Sequence, residues 1–176
     1  HIITPGSSAL ELGSGTGRLA FPLLRHDINY FGLELSQAFC KYTQDKLLDK
    51  NHQEQIIHGD MRSFDINHQF NYIFVGFNTL LHLLTNDDIK RCFQCVKKHL
   101  HNNGQFILDI VHPHPSFLFK ASKEPVLVMD FKDSCNNNDI VEIYERCEYN
   151  HATEICNISW EYHYKKLKTY NKRFDY

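Results

Sequence analysis

Three glycines at alternate positions follow a short apolar run near the start of the chain. Residues 9–17 read ALELGSGTG, and an amphipathic stretch, residues 18–25, comes directly after them. Glycine allows a positive φ and lets a ligand lie against bare main chain. A helix that begins after such a loop presents unpaired N–H groups to polar parts of a ligand. The segment therefore predicts a strand, a ligand-binding loop and a helix.

The spacing of the glycines separates two kinds of nucleotide-binding loop. The dinucleotide fingerprint G-x-G-x-x-G would place its third glycine at position 18, which is Arg18. Here Gly13, Gly15 and Gly17 follow the pattern G-x-G-x-G. Glu11 lies two residues before the first glycine, where a carboxylate suits a cationic ligand better than a pyrophosphate. A dinucleotide site and a glycine turn without a ligand are the alternatives.

This loop resembles motif I, E/D-x-G-x-G-x-G, of the class I S-adenosylmethionine-dependent methyltransferases. The resemblance implies an α/β fold with a doubly wound, Rossmann-like, mostly parallel sheet of strand order 3-2-1-4-5. It also implies S-adenosyl-L-methionine as the cofactor, with its amino-acid portion and sulfonium region held by the acidic residue and the loop. The cofactor-binding residues implied in this segment are Glu11, Gly13, Ser14, Gly15, Gly17 and Arg18.

A second acidic residue ends the next predicted strand, residues 29–34. A carboxylate at the tip of the second strand of a doubly wound fold can accept two hydrogen bonds from a ribose diol. Glu34 matches the methyltransferase pattern in this respect, and the resemblance implies that Glu34, with Leu35 beside it, binds the cofactor. The alternative is a solvated charge at a strand end.

The third predicted strand, residues 55–58, leads into a glycine and an acidic residue. In the family, an acidic residue at this point contacts the adenine amino group and the next main-chain N–H contacts the ring. The resemblance thus implies that Asp60 and Met61 bind adenine. Alternatively, Asp60 is a helix N-cap or turn residue.

The fourth predicted strand, residues 70–76, precedes a segment that resembles motif IV of the family. That segment lines the place where methyl donor and acceptor meet. The resemblance implies that Phe77 and Asn78 approach the cofactor and that His82 is a candidate catalytic residue, which would orient or deprotonate an acceptor. In the alternative interpretation, His82 is a partly buried histidine packed at the start of a helix.

Strands and helices alternate through the first two thirds of the chain, which predicts parallel pairing through right-handed crossovers. Further helices are predicted at residues 17–25, 36–50 and 85–100, and further strands at residues 7–12 and 104–111. Beyond residue 115 the pattern changes to antiparallel strands at residues 126–131, 140–149 and 155–164, with a hairpin turn at 150–154. We therefore predict a cofactor-binding core, residues 1–115, and an antiparallel β extension, residues 116–176.

The layout of a fifth strand followed by antiparallel strands resembles small-molecule N-methyltransferases that act on amino sugars. In those enzymes the extra strands cover the active site or form a dimer interface, so a homodimer through this extension is a candidate. The chain begins with His1 and ends at Tyr176. Against the family layout, it reads as a fragment that lacks the N-terminal helices and the final strands of the sheet.

The composition limits the classes of partner that the chain is expected to bind. With 19 basic and 21 acidic residues among 176, no segment is basic enough to predict nucleic-acid binding. No apolar run approaches the ~20 residues of a membrane-spanning helix. The six cysteines are expected to stay reduced in a cytoplasmic protein. Cys92 and Cys95 form a C-x-x-C within a helical pattern, without the second pair that a structural zinc needs, so no metal is predicted.

Together these features predict an enzyme that transfers a methyl group from S-adenosylmethionine to an N or O atom of a small-molecule acceptor. A methyltransferase that acts on RNA or protein is the alternative with the same fold. A non-catalytic nucleoside-binding domain and a nicotinamide oxidoreductase are alternatives of other classes.

Overall fold

The computed structural model describes residues 3–112, 124–136 and 138–165, together with the backbone of residues 172–175. The chain divides into two compact units, residues 1–111 and residues 112–176. Of the histidine–proline stretch at residues 112–115, only His112 is among the described residues.

The first unit contains a five-stranded sheet of order β3-β2-β1-β4-β5, in which every neighbouring pair is parallel. Its strands are β1 (Ser8–Leu12), β2 (Asn29–Glu34), β3 (Ile56–His58), β4 (Phe70–Val75) and β5 (Leu100–Leu108). Its helices are α1 (Ala20–Arg25), α2 (Gln37–Lys46), α3 (Lys50–Glu54) and α4 (Asn86–His99), with a 3₁₀ turn at Thr79–His82. The doubly wound fold and strand order predicted from the sequence are confirmed.

Apolar side chains cover both faces of this sheet. Side chains alternate along a strand, so Leu10 and Ala9 of β1 enter two different clusters of buried residues. The cluster with Leu10 includes Val96 of α4, and the cluster with Ala9 includes Ala20 of α1 and Cys40 of α2. Because helices cover both faces, the strand tips and their loops are what remains open to a ligand.

The prediction of one continuous helix at residues 36–50 is wrong, because the structure has two helices there, α2 and α3. α2 ends at Lys46, where Leu47 adopts an extended backbone and buries its side chain. Asp49 then caps α3, because its Oδ1 accepts a hydrogen bond of 2.8 Å from the Asn51 N–H. Burial of Leu47 and the competing cap at Asp49 interrupt a pattern that periodicity alone reads as continuous.

Two other element boundaries also differ from the prediction. α1 begins at Ala20 and not at residue 17, because Gly17 has a φ of +77° and residues 15–19 form turns. β5 begins at Leu100, directly after α4, and its pairing with β4 is irregular between Phe70 and Tyr72. The strand therefore starts four residues earlier than the predicted strand at residues 104–111, and Gly104 lies in its irregular part.

The second unit contains an antiparallel sheet of order β6-β7-β8-β9. Its strands are β6 (Val126–Asp133), β7 (Asp139–Asn150), β8 (Ile155–Tyr164) and β9 (Lys172–Asp175). The hairpin between β7 and β8 is closed by Asn150, whose side-chain oxygen accepts hydrogen bonds from the N–H groups of Ala152 and Thr153. The first three strands occur where they were predicted, and β9 is an addition.

Candidate cofactor site

Four loops of the first unit follow the carboxyl ends of neighbouring parallel strands. They begin at Gly13 after β1, at Leu35 after β2, at Gly59 after β3 and at Gly76 after β4. β1 lies at the point where the strand order reverses, since its neighbours are β2 on one side and β4 on the other. In open α/β sheets, ligands bind outside the carboxyl ends of the strands at such a reversal.

The glycine loop is fastened to the tip of β2. The N–H groups of Gly13 and Ser14 both donate to the Leu33 carbonyl, at 2.8 and 3.1 Å. On the other side, the Thr43 hydroxyl of α2 donates to the Gly15 carbonyl at 3.3 Å. The loop is therefore held by hydrogen bonds within the protein that do not depend on a ligand.

The three glycines of the loop have different surroundings. A Cβ on Gly13 would lie 2.3 Å from Cγ2 of Thr79, and one on Gly17 would lie 2.5 Å from Cγ2 of Thr43. A Cβ on Gly15 would meet nothing within 4 Å. Gly13 and Gly17 thus permit close packing of the protein against itself, whereas Gly15, at φ +56°, faces open space that a ligand can occupy.

Glu34 joins the glycine loop to the loop after β2. Its Oε2 accepts a hydrogen bond of 2.8 Å from the Gly15 N–H, and its Oε1 accepts one of 2.8 Å from the Ser36 N–H. The side chain is buried, and each carboxylate oxygen keeps a lone pair for a further donor. Two such acceptors side by side suit a vicinal diol.

Glu11 is buried beneath the same loop but has a different environment. It is 4% exposed, and its Oε2 accepts a hydrogen bond of 2.5 Å from the Tyr30 hydroxyl. Among the described residues, no lysine, arginine or histidine comes within ion-pair distance of this carboxylate. Burial raises the pKa of Glu11 to about 7, although the Tyr30 hydrogen bond and the positive charge of Arg18 act in the opposite direction.

Phe77 and Asn78 form a strained corner after β4. Both have positive φ, 54° and 64°, which non-glycine residues rarely adopt. The corner is held because Asn78 Oδ1 accepts a hydrogen bond of 2.6 Å from the Val111 N–H, while the Phe77 N–H donates to the Asp109 carboxylate at 3.2 Å. The half-exposed Phe77 ring has the Arg18 guanidinium 3.5 Å from its centre.

Asp60 is engaged by its own loop. Its carboxylate accepts hydrogen bonds from the Arg62 backbone N–H at 2.8 Å and from the Arg62 guanidinium at 2.6 Å, which lowers the pKa of Asp60. Arg62 also reaches Asp88 in the first turn of α4 at 3.1 Å. This turn is what the alternative interpretation of Asp60 predicted, and Met61 packs half-buried against the cluster of Leu10.

The remaining predicted residues are at the surface. His82 is exposed at the end of the 3₁₀ turn, so the alternative of a partly buried histidine is wrong. Leu35 is 65% exposed beside Glu34. Both side chains are accessible to a ligand.

Sequence reasoning missed three residues that shape this site: Tyr30, Thr43 and Arg62. Tyr30 could have been found from strand register, because it lies opposite Ala9 in the parallel pair and a tyrosine beside alanine can extend toward Glu11. Thr43 and Arg62 carry no motif, and only the packed structure brings them to the loop and to Asp60.

The doubly wound parallel sheet, with the glycine loop and Glu34 at its strand tips, defines an α/β domain whose candidate ligand site lies at those tips. A sequence profile of the family described as "Methyltransferase domain" matches residues 9–104, just over half of the chain, and the chain belongs to this family. A curated protein of Bacillus pumilus, an uncharacterized methyltransferase, is 32% identical over 102 residues, which cover 58% of this chain and 46% of that protein.

Solved structures share the fold. The CcbJ methyltransferase of Streptomyces caelestis superposes with a TM-score of 0.77 at 19% identity, over 98% of this chain and 66% of that one. The sugar N-methyltransferase KedS8 of a Streptoalloteichus species gives 0.72 at 18% identity, over 97% and 64%. An S-adenosylmethionine-dependent methyltransferase of Clostridium acetobutylicum gives 0.68 at 22% identity, over 96% and 64%. The chain thus spans about half of the curated relative and about two thirds of these structures.

No helix in the described part of the chain has the length and apolar character that a membrane span requires.

Proposed function

We propose that this protein is an S-adenosylmethionine-dependent methyltransferase that methylates an N or O atom of a small molecule. The observation that carries the proposal is the pairing of Glu34 with Gly15. The Glu34 carboxylate offers two oxygens for a sugar diol, and the same side chain fixes the N–H of the one loop glycine that faces open space.

The residues around this pair fit the parts of the cofactor. Glu34 would bind the ribose hydroxyls, and the main chain around Gly15 would lie against the amino-acid portion. Glu11, a buried carboxyl without a cationic partner among the described residues, suits the positive charge of the sulfonium region. The half-exposed Phe77 ring would border that region, and the turn at Asp60 and Met61 would border the adenine. The Asp60 carboxylate would then bind adenine and Arg62 at the same time.

When bound, the cofactor supplies a methyl group on a positively charged sulfur, which leaves readily. The protein then contributes chiefly by orienting donor and acceptor and by excluding water, and good orientation is worth several kcal/mol. An acceptor that arrives protonated also needs a base. His82 is exposed at the end of the 3₁₀ turn and is our candidate for that base.

The acceptor is proposed from the relatives. Among the solved structures that share the fold are a sugar N-methyltransferase and a glycopeptide N-methyltransferase. An amine on a sugar or a similar small metabolite is therefore the first acceptor class to test. An incubation of the protein with S-adenosylmethionine and an amine panel, followed by mass spectrometry, should show a gain of one methyl group. Cofactor binding without any methylated product would favour a non-catalytic nucleoside-binding domain.

The cofactor site itself is tested by calorimetry with S-adenosylhomocysteine, the demethylated product. Gly15→Val should reduce the affinity at least ~100-fold, because the new side chain fills the space that the proposal assigns to the ligand. Gly6→Val is the matched control, since Gly6 also has a positive φ, of 75°, and a Cβ at Gly6 would meet no atom within 4 Å, but Gly6 precedes β1. Unchanged binding by Gly15→Val, or an equal loss in both variants, would contradict the proposal.

Three further expectations belong to this proposal. The core at residues 1–115 would bind the cofactor, and the extension at residues 116–176 would cover the acceptor or form a homodimer interface. The apolar side chains of Val126, Leu127, Val128 and Met129 in β6 are about half exposed, which supports such a role. A cytoplasmic location is supported by the cysteines, all six of which are free thiols.

A further inference from the structure

Glu11 is a buried carboxyl group whose charge nothing in the described part of the chain neutralises directly. It is 4% exposed, its hydrogen-bond donor is the uncharged Tyr30 hydroxyl, and no cation lies within ion-pair distance. An ionised carboxylate in such a place costs free energy unless a positive charge joins it. The neighbouring Glu34 differs, because two backbone N–H groups stabilise its carboxylate.

The groups around Glu11 belong to β2, to the glycine loop with the residue after it, and to β4. From β2, Tyr30 donates to it and the negative charge of Glu34 opposes its ionisation. From the glycine loop, Arg18 favours its ionisation, but the Arg18 guanidinium lies over the Phe77 ring and not on the carboxylate. On the other side, β4 places the uncharged residue Phe74 opposite Glu11.

We infer that Glu11 distinguishes the sulfonium form of the cofactor from its thioether product by releasing a proton to solvent only when the sulfonium form binds. This inference rests on the proposed function. On binding of the sulfonium form, the Glu11 carboxyl group loses H⁺ to solvent, and the resulting carboxylate is paired with the positive sulfur. With the thioether product in the site, no positive sulfur would face Glu11, and its carboxylate would take H⁺ back from solvent.

Protonation of the Glu11 carboxyl group changes near neutral pH, so the release of a proton on binding should be measurable there. Burial raises the pKa of Glu11 to about 7 in the chain without ligand. A positive charge within about 6 Å lowers a carboxyl pKa by about 1 to 3. The affinity for the sulfonium form relative to the thioether should therefore rise by roughly tenfold between pH 6 and pH 8.

Proton release can be measured without any turnover. Calorimetric titration of the 176-residue chain at pH 7, in two buffers of different ionisation enthalpy, gives the number of protons exchanged. We expect release of about half a proton with S-adenosylmethionine and close to none with S-adenosylhomocysteine. In Glu11→Gln the proton release that depends on Glu11 should vanish. The proton release of this variant is subtracted from that of the unaltered chain, which also removes the contribution of the ligand's own amino group. Glu54→Gln, a change of an exposed glutamate, should leave the release unchanged.

Two further measurements cover the case in which Glu11→Gln fails to fold. Tyr30→Phe removes the donor that favours the carboxylate, so release at pH 7 should move toward one proton. Infrared difference spectra of the unaltered chain should show loss of a protonated carboxyl band with S-adenosylmethionine but not with S-adenosylhomocysteine.

The outcomes separate the two claims. If both ligands bind with equal proton release, or if Glu11→Gln releases as much as the unaltered chain, the inference is overturned and the proposed function stands. If neither ligand binds, the proposed function fails and the inference fails with it.

Discussion

At the scale of single residues, two buried glutamates at the same edge of the sheet have opposite surroundings. Glu34 accepts hydrogen bonds from two backbone N–H groups, whereas Glu11 accepts one from a tyrosine hydroxyl. Backbone donors stabilise a carboxylate, while burial with one neutral donor favours the protonated form. The two residues therefore suit different parts of a ligand, a diol and a cation.

For Glu34 we predict that substitution by glutamine weakens S-adenosylhomocysteine binding by about 10- to 100-fold. An amide presents one oxygen, so its NH₂ group must face the N–H of either Gly15 or Ser36, and a charge-assisted hydrogen bond worth roughly 1.5–3 kcal/mol is lost. Calorimetry on Glu34→Gln measures the change, and Glu54→Gln should bind as the unaltered chain does. Equal affinity of all three proteins would show that Glu34 does not contact the ligand.

For Glu11 we predict a pH-dependent gain in stability on substitution by glutamine. Glu11 has a pKa of about 7 in the folded chain, whereas a glutamate in the unfolded chain has a pKa of about 4.3. The stabilising contribution of the protonated form is thus fully present below about pH 4 and is lost as the pH rises through 7. At pH 8 the ionised side chain costs up to about 3 kcal/mol.

Glu11→Gln removes this cost because an amide does not ionise and its oxygen can still accept from Tyr30. Urea unfolding, followed by the helical circular dichroism signal, should show the variant to be more stable than the unaltered chain at pH 8, with little difference at pH 4. A difference of the same size at both pH values would mean that ionisation of Glu11 is not its source.

At the scale of elements, α4 shows how local capping and a distant ion pair act on the same turn. The Thr85 hydroxyl accepts from the Asp88 N–H at 3.1 Å and donates to the Asp88 carboxylate at 2.9 Å. Arg62, from the loop after β3, binds the same carboxylate. The start of α4 is therefore fastened to the loop that holds Asp60.

We predict that Thr85→Ala lowers the free energy of unfolding by about 1 kcal/mol, because the N-cap acceptor is lost. Lys90→Ala, an exposed change within the same helix, should alter it by less than about 0.5 kcal/mol. Urea unfolding monitored by circular dichroism compares the two variants. A loss in Thr85→Ala no larger than that in Lys90→Ala would show that the cap contributes little here.

At the scale of the whole molecule, the proposed cofactor residues all belong to the first unit, residues 1–111. A ligand that binds the folded state stabilises it by RT ln(1 + [L]/Kd), about 2.7 kcal/mol at a hundredfold excess over Kd. That stabilisation should be largest where the ligand touches the backbone.

We therefore predict that S-adenosylhomocysteine slows amide hydrogen exchange at residues 13–18 and 34–36. The strands Asp139–Asn150 and Ile155–Tyr164 of the second unit should exchange at the same rate with and without the ligand. Hydrogen exchange with peptide-level mass spectrometry makes this comparison. Protection confined to the second unit would place the ligand site elsewhere and contradict the assignment.

Local patterns in the sequence were sufficient for the alternation of strands and helices, the glycine loop and the acidic residues near the ends of β1 and β2, whereas the strand order came from the resemblance to the methyltransferase family. Backbone preference, side-chain periodicity and glycine spacing depend on neighbours within a few residues, so the sequence displays them directly. The break between α2 and α3 was missed because it depends on burial of Leu47, which periodicity does not report.

Tertiary structure alone decided how the site residues are used. It brought the Tyr30 hydroxyl to Glu11 across 19 positions of chain and the Asn78 side chain to the Val111 amide across 33. These contacts decide which polar atoms of the site are already bonded within the protein. Burial and hydrogen-bond partners are properties of the packed chain, because they depend on residues that meet only after the strands have paired.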